Sequence, residues 1–145
     1  MPDVNQDKQL LLAAVEAARE GQREGNPPYG AVAFKAGQIV ADGYNTVVTS
    51  GDRLAHAETN VLDSACRRLG SSKLVDCTLY CTSEPCILCI GAIAWTGIGR
   101  VVYGATDPVE GAIHELQGID INIEALYLPL EECAELFATI SQHRQ

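Results

Sequence analysis

Two cysteines three residues apart, Cys86 and Cys89, follow Pro85 where a helix is expected to begin. At that spacing both sulfurs leave one face of the helix and can reach one ion. The first turn adds unpaired amides and the positive end of the helix dipole, which favour the thiolate that zinc requires. Among His56, His114 and His143, only His56 stands in a motif, His56-Ala57-Glu58, again at an expected helix start. Two cysteines and one histidine leave a tetrahedral ion with one open position, which means water and hydrolytic chemistry. A sealed structural site would want a fourth ligand, and Cys81, on the strand before the motif, is the available one.

Glu58 is two residues from His56, and such neighbours diverge on a regular helix. They converge on one site only where the first turn is irregular. In that geometry the carboxylate takes a proton from water, the oxygen adds to a ring carbon carrying an amino group, and the proton returns to nitrogen leaving as ammonia. Each feature has a plainer reading: a lone CxxC is often structural, a lone histidine is usually a core or surface group, and Glu58 suits a solvated helix. Their combination, with 28 residues between His56 and Pro85, favours a zinc hydrolase.

Periodicity predicts the elements that position these groups. A helix is expected from 5 to 24, with Asn5 as N-cap and Gly25 as its stop. Residues 30–35 and 38–44 read as a hairpin about Ala36-Gly37, followed by a polar stretch from Thr46 to Arg53. A helix from 55 to 69, closed by Gly70, leads to a strand at 75–82. Pro85 then suits the first turn of a helix over 86–95, apolar almost all round and therefore expected to be buried. A strand at 100–104, a helical turn near 109–117, a strand at 121–127 and a helix over 130–141 complete the chain. This order predicts an α/β fold, a three-layer α/β/α sandwich with a mixed five-stranded sheet, in one domain over residues 1–145.

The 145 residues, 47% of them apolar, suffice for one packed core. The run Leu10 to Val15 is too short to span a bilayer, and Asp3 and Asp7 stand where a secretory signal would be basic. A cytoplasmic protein without membrane contact is expected. In that reducing compartment the six cysteines point to metal binding or burial rather than disulfides. A net charge of −9 opposes nucleic acid as a partner and fits a small neutral substrate.

The segments His56-Ala57-Glu58 and Pro85-Cys86-Ile87-Leu88-Cys89 resemble the cytidine deaminase superfamily signature, the H-x-E…P-C-x-x-C arrangement of zinc deaminases. The likeness runs from about Pro28 to Tyr103. It implies bound Zn²⁺ on His56, Cys86 and Cys89, Glu58 as the proton carrier, and a homodimer with the active site close to the subunit interface. It further implies that Asn45 hydrogen-bonds the substrate ring, that the Ala57 amide contacts a substrate carbonyl, that Tyr29 lines the base pocket, and that the Ser83–Pro85 turn receives the amino group. Asn45 would equally suit a strand-ending turn, and Tyr29 the core.

Within the superfamily, Trp95 resembles the tryptophan of bacterial guanine deaminases, and a wide aromatic plane suits a flat base. Residues 107–115 resemble, with two residues deleted, the loop that brings an acid to the purine edge, which implicates Glu115 and His114. Tyr29 replaces the usual phenylalanine and the sequence stops at Gln145, so a smaller or more open pocket is expected. The expected substrate is a free nucleobase, guanine first, with isocytosine or cytosine as the alternative. A tRNA adenosine deaminase ranks lower because residues 134–145 offer only Arg144 besides His143, and a non-catalytic zinc module would not need Glu58.

Overall fold

The computed structural model of the chain describes residues 3–120 and 122–141. The order is α1 (Val4–Arg23), β1 (Gly30–Lys35), β2 (Gln38–Tyr44), α2 (Val47–Ser50), α3 (Ala57–Leu69), β3 (Thr78–Cys81), α4 (Ile87–Thr96), β4 (Arg100–Tyr103), a 3₁₀ turn (Ile113–Glu115), α5 (Leu116–Ile119), β5 (Glu124–Tyr127) and α6 (Glu131–Ser141). The five strands form one sheet in the order β2-β1-β3-β4-β5. β1 pairs antiparallel with β2 and β3, whereas β3, β4 and β5 run parallel, so the sheet is mixed as expected.

Alternation along the strands assigns the two faces. Ala31, Ala33, Leu79, Cys81 and Val101 join α3 and α4 in the larger core, while Val32, Tyr80 and Val102 pack with Leu10, Leu11 and Ala14 of α1. α1 lies close on β1 because Gly30 has no side chain: a Cβ there would strike the Ala14 carbonyl and, at 2.6 Å, the Ala18 nitrogen. α6 continues the α1 layer through Cys133 and Leu136, which meet Val15 and Ala18.

Several local expectations are corrected. The N-cap of α1 is Asp3 rather than Asn5; its Oδ1 accepts from the Asn5 amide at 2.9 Å, the usual role of a cap carboxylate. The polar stretch from Thr46 holds the short helix α2, and β3 is confined to four residues. Pro85 stands two residues before the start of α4, with Cys86 between them as the N-cap. α4 is not buried all round. Ile87, Gly91 and Trp95, spaced four apart, form an exposed stripe, with Trp95 87% exposed, while Cys89, Ile90 and Ile93 face inward. None of the described helices is long and apolar enough to cross a membrane.

Candidate active site

Two helix starts meet at the site. His56 caps α3 in extended backbone (φ −74°, ψ 163°), so its side chain departs before helical phase begins. Glu58 follows in the first turn, which resolves the divergence that a regular helix would impose. Cys86 caps α4 in extended backbone (φ −80°, ψ 175°), and Cys89 lies three residues on. His56 Nδ1 is 3.6 Å from Cys86 Sγ and 3.5 Å from Cys89 Sγ, and the sulfurs are 3.9 Å apart.

These separations test the fit to zinc. A tetrahedral ion at ~2.3 Å from sulfur and ~2.0–2.1 Å from nitrogen sets ligand edges of about 3.8 Å between sulfurs and about 3.6 Å from sulfur to nitrogen. The observed triangle matches. Among the described residues the candidate ligand group is His56, Cys86 and Cys89; Cys81, buried on β3, is outside it, so three ligands and an open fourth position remain. The Cys86 thiol is pulled down to about 4, first by the hydrogen bond from Cys89 and then by His56 beside it, against its burial. The same hydrogen bond and its own burial push Cys89 up. Hydrogen bonding to Cys86 holds His56 above its ordinary value.

Glu58 is 6% exposed. Burial pushes its carboxyl up to about 7, and a hydrogen bond from its own amide only partly offsets that cost. A carboxyl poised near neutrality both accepts and returns a proton with little penalty.

A cavity of about 230 Å³ opens onto this set, with Tyr29, Asn45, Arg53, Glu84, Asp107 and Glu110 among its walls. Asn45 closes the turn after β2, its Oδ1 accepting from the Val47 amide at 2.9 Å, and it also lines the pocket. Asn60 Nδ2 locks that turn to α3 by donating to the Tyr44 carbonyl (2.9 Å) and to Thr46 Oγ1 (3.1 Å). Tyr29 reaches the wall and also packs on the larger core. Ala57 is fully buried in the first turn of α3, where amides have no intrahelical acceptor.

Ser83 is buried and is not part of the lining; its neighbour Glu84 is. Glu84 accepts from the Asp107 amide at 3.0 Å through Oε1 and from the Ile113 amide at 3.3 Å through Oε2, which ties residues 107–113 to the start of α4. Gly111 is required beneath it, since a Cβ would strike the Glu84 carboxylate. Asp107 is itself held by its Oδ1, which accepts from Val109 and Glu110 amides. The acids that reach the pocket from this loop are therefore Asp107 and Glu110.

Trp95, His114 and Glu115 do not line this cavity. Six residues beyond Cys89, Trp95 is turned by about 240° around the helix, away from the ligand face. His114 and Glu115 lie on the exposed 3₁₀ turn, where His114 Nε2 meets Glu115 Oε1 at 3.3 Å. Arg53, Glu84 and Glu110 are among the wall residues that motif reading missed; for Arg53 and Glu110 no local pattern marks them, because each is an ordinary surface residue brought over the pocket by its loop.

The family model for the cytidine and deoxycytidylate deaminase zinc-binding region matches residues 4–105. The chain belongs to this family. It is a zinc-dependent hydrolytic deaminase, acting on a C–N bond, with the α/β fold of its relatives. A tRNA-specific adenosine deaminase of Bacillus subtilis is 37% identical over 80% of this chain and 72% of its own length. A guanine deaminase of Bacillus subtilis is 44% identical over 73% of this chain and 70% of its own. A solved structure from work on A-to-I editing by tRNA:A34 deaminases superposes with a TM-score of 0.82 at 32% identity, over 89% of this chain and 99% of that one.

Proposed function

We propose that this deaminase acts on a free nucleobase, guanine first, hydrolysing its 2-amino group to give xanthine and ammonia. The observation that carries the reading is the make-up of the cavity. Its walls bear Glu58, Glu84, Asp107 and Glu110 against a single arginine, Arg53. Such a wall repels phosphate and accepts N–H groups, which the amino-lactam edge of guanine or isocytosine supplies. At about 230 Å³ the cavity lies below the ~300 Å³ at which sites for drug-sized ligands begin.

His56, Cys86 and Cys89 hold the metal, and Glu58, Asn45 and the Ala57 amide address the substrate. Zinc held there supplies a Lewis acid that brings the pKa of water towards neutrality. Glu58 takes a proton from the attacking water and delivers it to the departing nitrogen, which leaves as ammonia while the ring carbon gains its carbonyl oxygen. Asn45 and the Ala57 amide orient the ring, and Tyr29 forms the wall against it.

A tRNA reading has support in the 37% identity to the tRNA-specific adenosine deaminase. The net charge of −9 weighs against it, because affinity for RNA rests on neutralised phosphates. His143 and Arg144, the cations noted near the C-terminus, lie outside the described residues. We also read the exposed α4 stripe of Ile87, Gly91 and Trp95 as the face on which two subunits associate. Ammonia release from guanine, isocytosine, cytosine, adenine, their nucleosides and a tRNA anticodon stem-loop tests the assignment. A preference for the stem-loop or any nucleoside over every free base overturns it.

A further inference from the structure

Among the described arginines, Arg53 and Arg68 hold no carboxylate, and of the two only Arg53 reaches the cavity. Arg19, Arg23, Arg67 and Arg100 each hold a carboxylate, at 3.2, 2.6, 3.0 and 2.8 Å. Arg53 has no hydrogen bond or ion pair among the described residues, yet it lines the cavity that contains His56, Glu58 and Cys86. Among the described residues that line it, Arg53 is the only lysine or arginine.

Two of the acids around the same cavity, Glu84 and Asp107, are engaged by backbone amides. Both Glu84 oxygens accept backbone amides, and Asp107 Oδ1 accepts two more. The loop that carries Arg53 is pinned on both sides. Gly51 turns it in left-handed backbone (φ 74°), Ser50 Oγ accepts from the Asp52 amide at 3.1 Å, and Asp52 Oδ1 accepts from the Leu54 amide at 2.9 Å. The Ala55 amide donates to the Asp52 carbonyl at 3.1 Å, and the Ala55 carbonyl accepts from Thr46, beside Asn45. The backbone that carries the exposed Arg53 side chain is thus held in place, three residues before His56.

We propose that Arg53 is a specificity-determining residue that reads the O6/N7 edge of a purine base. This rests on the free-base reading above. When the 2-amino carbon of guanine faces Glu58 and the metal ligands, the edge across the ring system carries O6 and N7, two adjacent acceptors. A planar guanidinium matches that pair with two parallel N–H donors, a geometry that arginine uses repeatedly on guanine. Adenine puts an amino donor where O6 would be, and it faces the arginine donor to donor. Isocytosine has the same amino-lactam edge as guanine but no N7, so Arg53 selects purine over pyrimidine.

The test is a cycle of protein and ligand atoms on the zinc-loaded enzyme. Wild type, Arg53→Ala and Arg53→Lys are assayed with guanine, 7-deazaguanine, in which N7 is a C–H, and isocytosine. In the wild type, loss of N7 lowers kcat/KM about tenfold or more. In Arg53→Ala guanine falls to the level of 7-deazaguanine, and the two become equal. Isocytosine changes by less than about threefold, since it lacks the second acceptor. Arg53→Lys restores part of the guanine rate, because a compact ammonium does not span both acceptors. Calorimetric binding of xanthine and 7-deazaxanthine to the same proteins reads the contact without turnover, and only wild type should distinguish them strongly.

An N7 effect as large in Arg53→Ala as in wild type overturns the assignment of Arg53 and leaves the free-base reading standing. So does an equal loss on all three substrates. A wild-type enzyme with no guanine turnover overturns both.

Discussion

Two carboxylates buried on opposite faces of the sheet have opposite fates. Asp7, 2% exposed on the inner face of α1, accepts from Tyr80 Oη at 2.7 Å and from both Arg100 terminal nitrogens at 3.0 and 2.8 Å. Burial alone would raise its carboxyl, but the hydrogen bonds from Arg100 and Tyr80 outweigh burial and hold it below the ordinary value. Glu58, nearly as buried on the α3–α4 face, has no cation of that kind at bonding distance, and burial wins. The same side-chain chemistry becomes a structural anchor in one place and, in the mechanism we propose, a proton carrier in the other. Full pairing lowers the first carboxyl, and burial without such a partner, beside the candidate metal ligands, raises the second.

The strongest way to break this comparison is to neutralise each carboxyl in turn. Glu58→Gln should retain one zinc per chain and the fold, and lower turnover by ~10²–10⁴-fold. Steady-state ammonia release with metal analysis checks it, and near-native turnover would move the proton to another residue. Asp7→Asn should leave turnover unchanged at low temperature. It should cost ~3–5 kcal/mol of stability, because Arg100 keeps its charge in a largely enclosed place, and denaturant unfolding measures this.

Acid sharpens the contrast. Since the Asp7 carboxyl is lowered in the folded chain, its stabilisation is complete above the unfolded value of about 3.8 and is lost as pH falls through the folded one. Wild type should therefore lose Tm below about pH 4 more steeply than Asp7→Asn. Equal slopes would mean that the Arg100 pair contributes nothing to acid stability.

Smaller effects are expected where a side chain acts through others. Glu84→Ala frees the Asp107 and Ile113 amides, at a cost of ~1–3 kcal/mol for each that finds no water. It should raise KM several-fold with zinc content intact, because the loop bearing Asp107 and Glu110 loosens over the pocket. A fall in kcat with KM constant would instead place Glu84 in the chemistry. Trp95→Ala should change kcat per subunit by less than about twofold while weakening self-association, as sedimentation can show. A large loss of base affinity at unchanged association would return Trp95 to the pocket.

The metal site and the element order could be read in advance because both depend on local signals. The ligands are three or fewer residues apart within each motif, strand alternation and turn glycines repeat over short stretches, and thiolate chemistry at a helix start is the same in any fold. Even Trp95 could have been excluded from the ligand face by counting helical phase from Cys89. The Asp7 anchor could not, since its partners lie 73 and 93 residues away and no pattern near Asp7 points to them. Nor could the pocket wall, where Glu84 reaches across 23 and 29 residues to hold a loop and Arg53 arrives on a turn pinned by backbone bonds. Ligand identity follows from the intrinsic chemistry of a few neighbouring residues, whereas burial, pairing and pocket lining exist only once distant segments share one volume, and that packing alone decided which carboxylate was lowered by an ion pair and which was raised by burial.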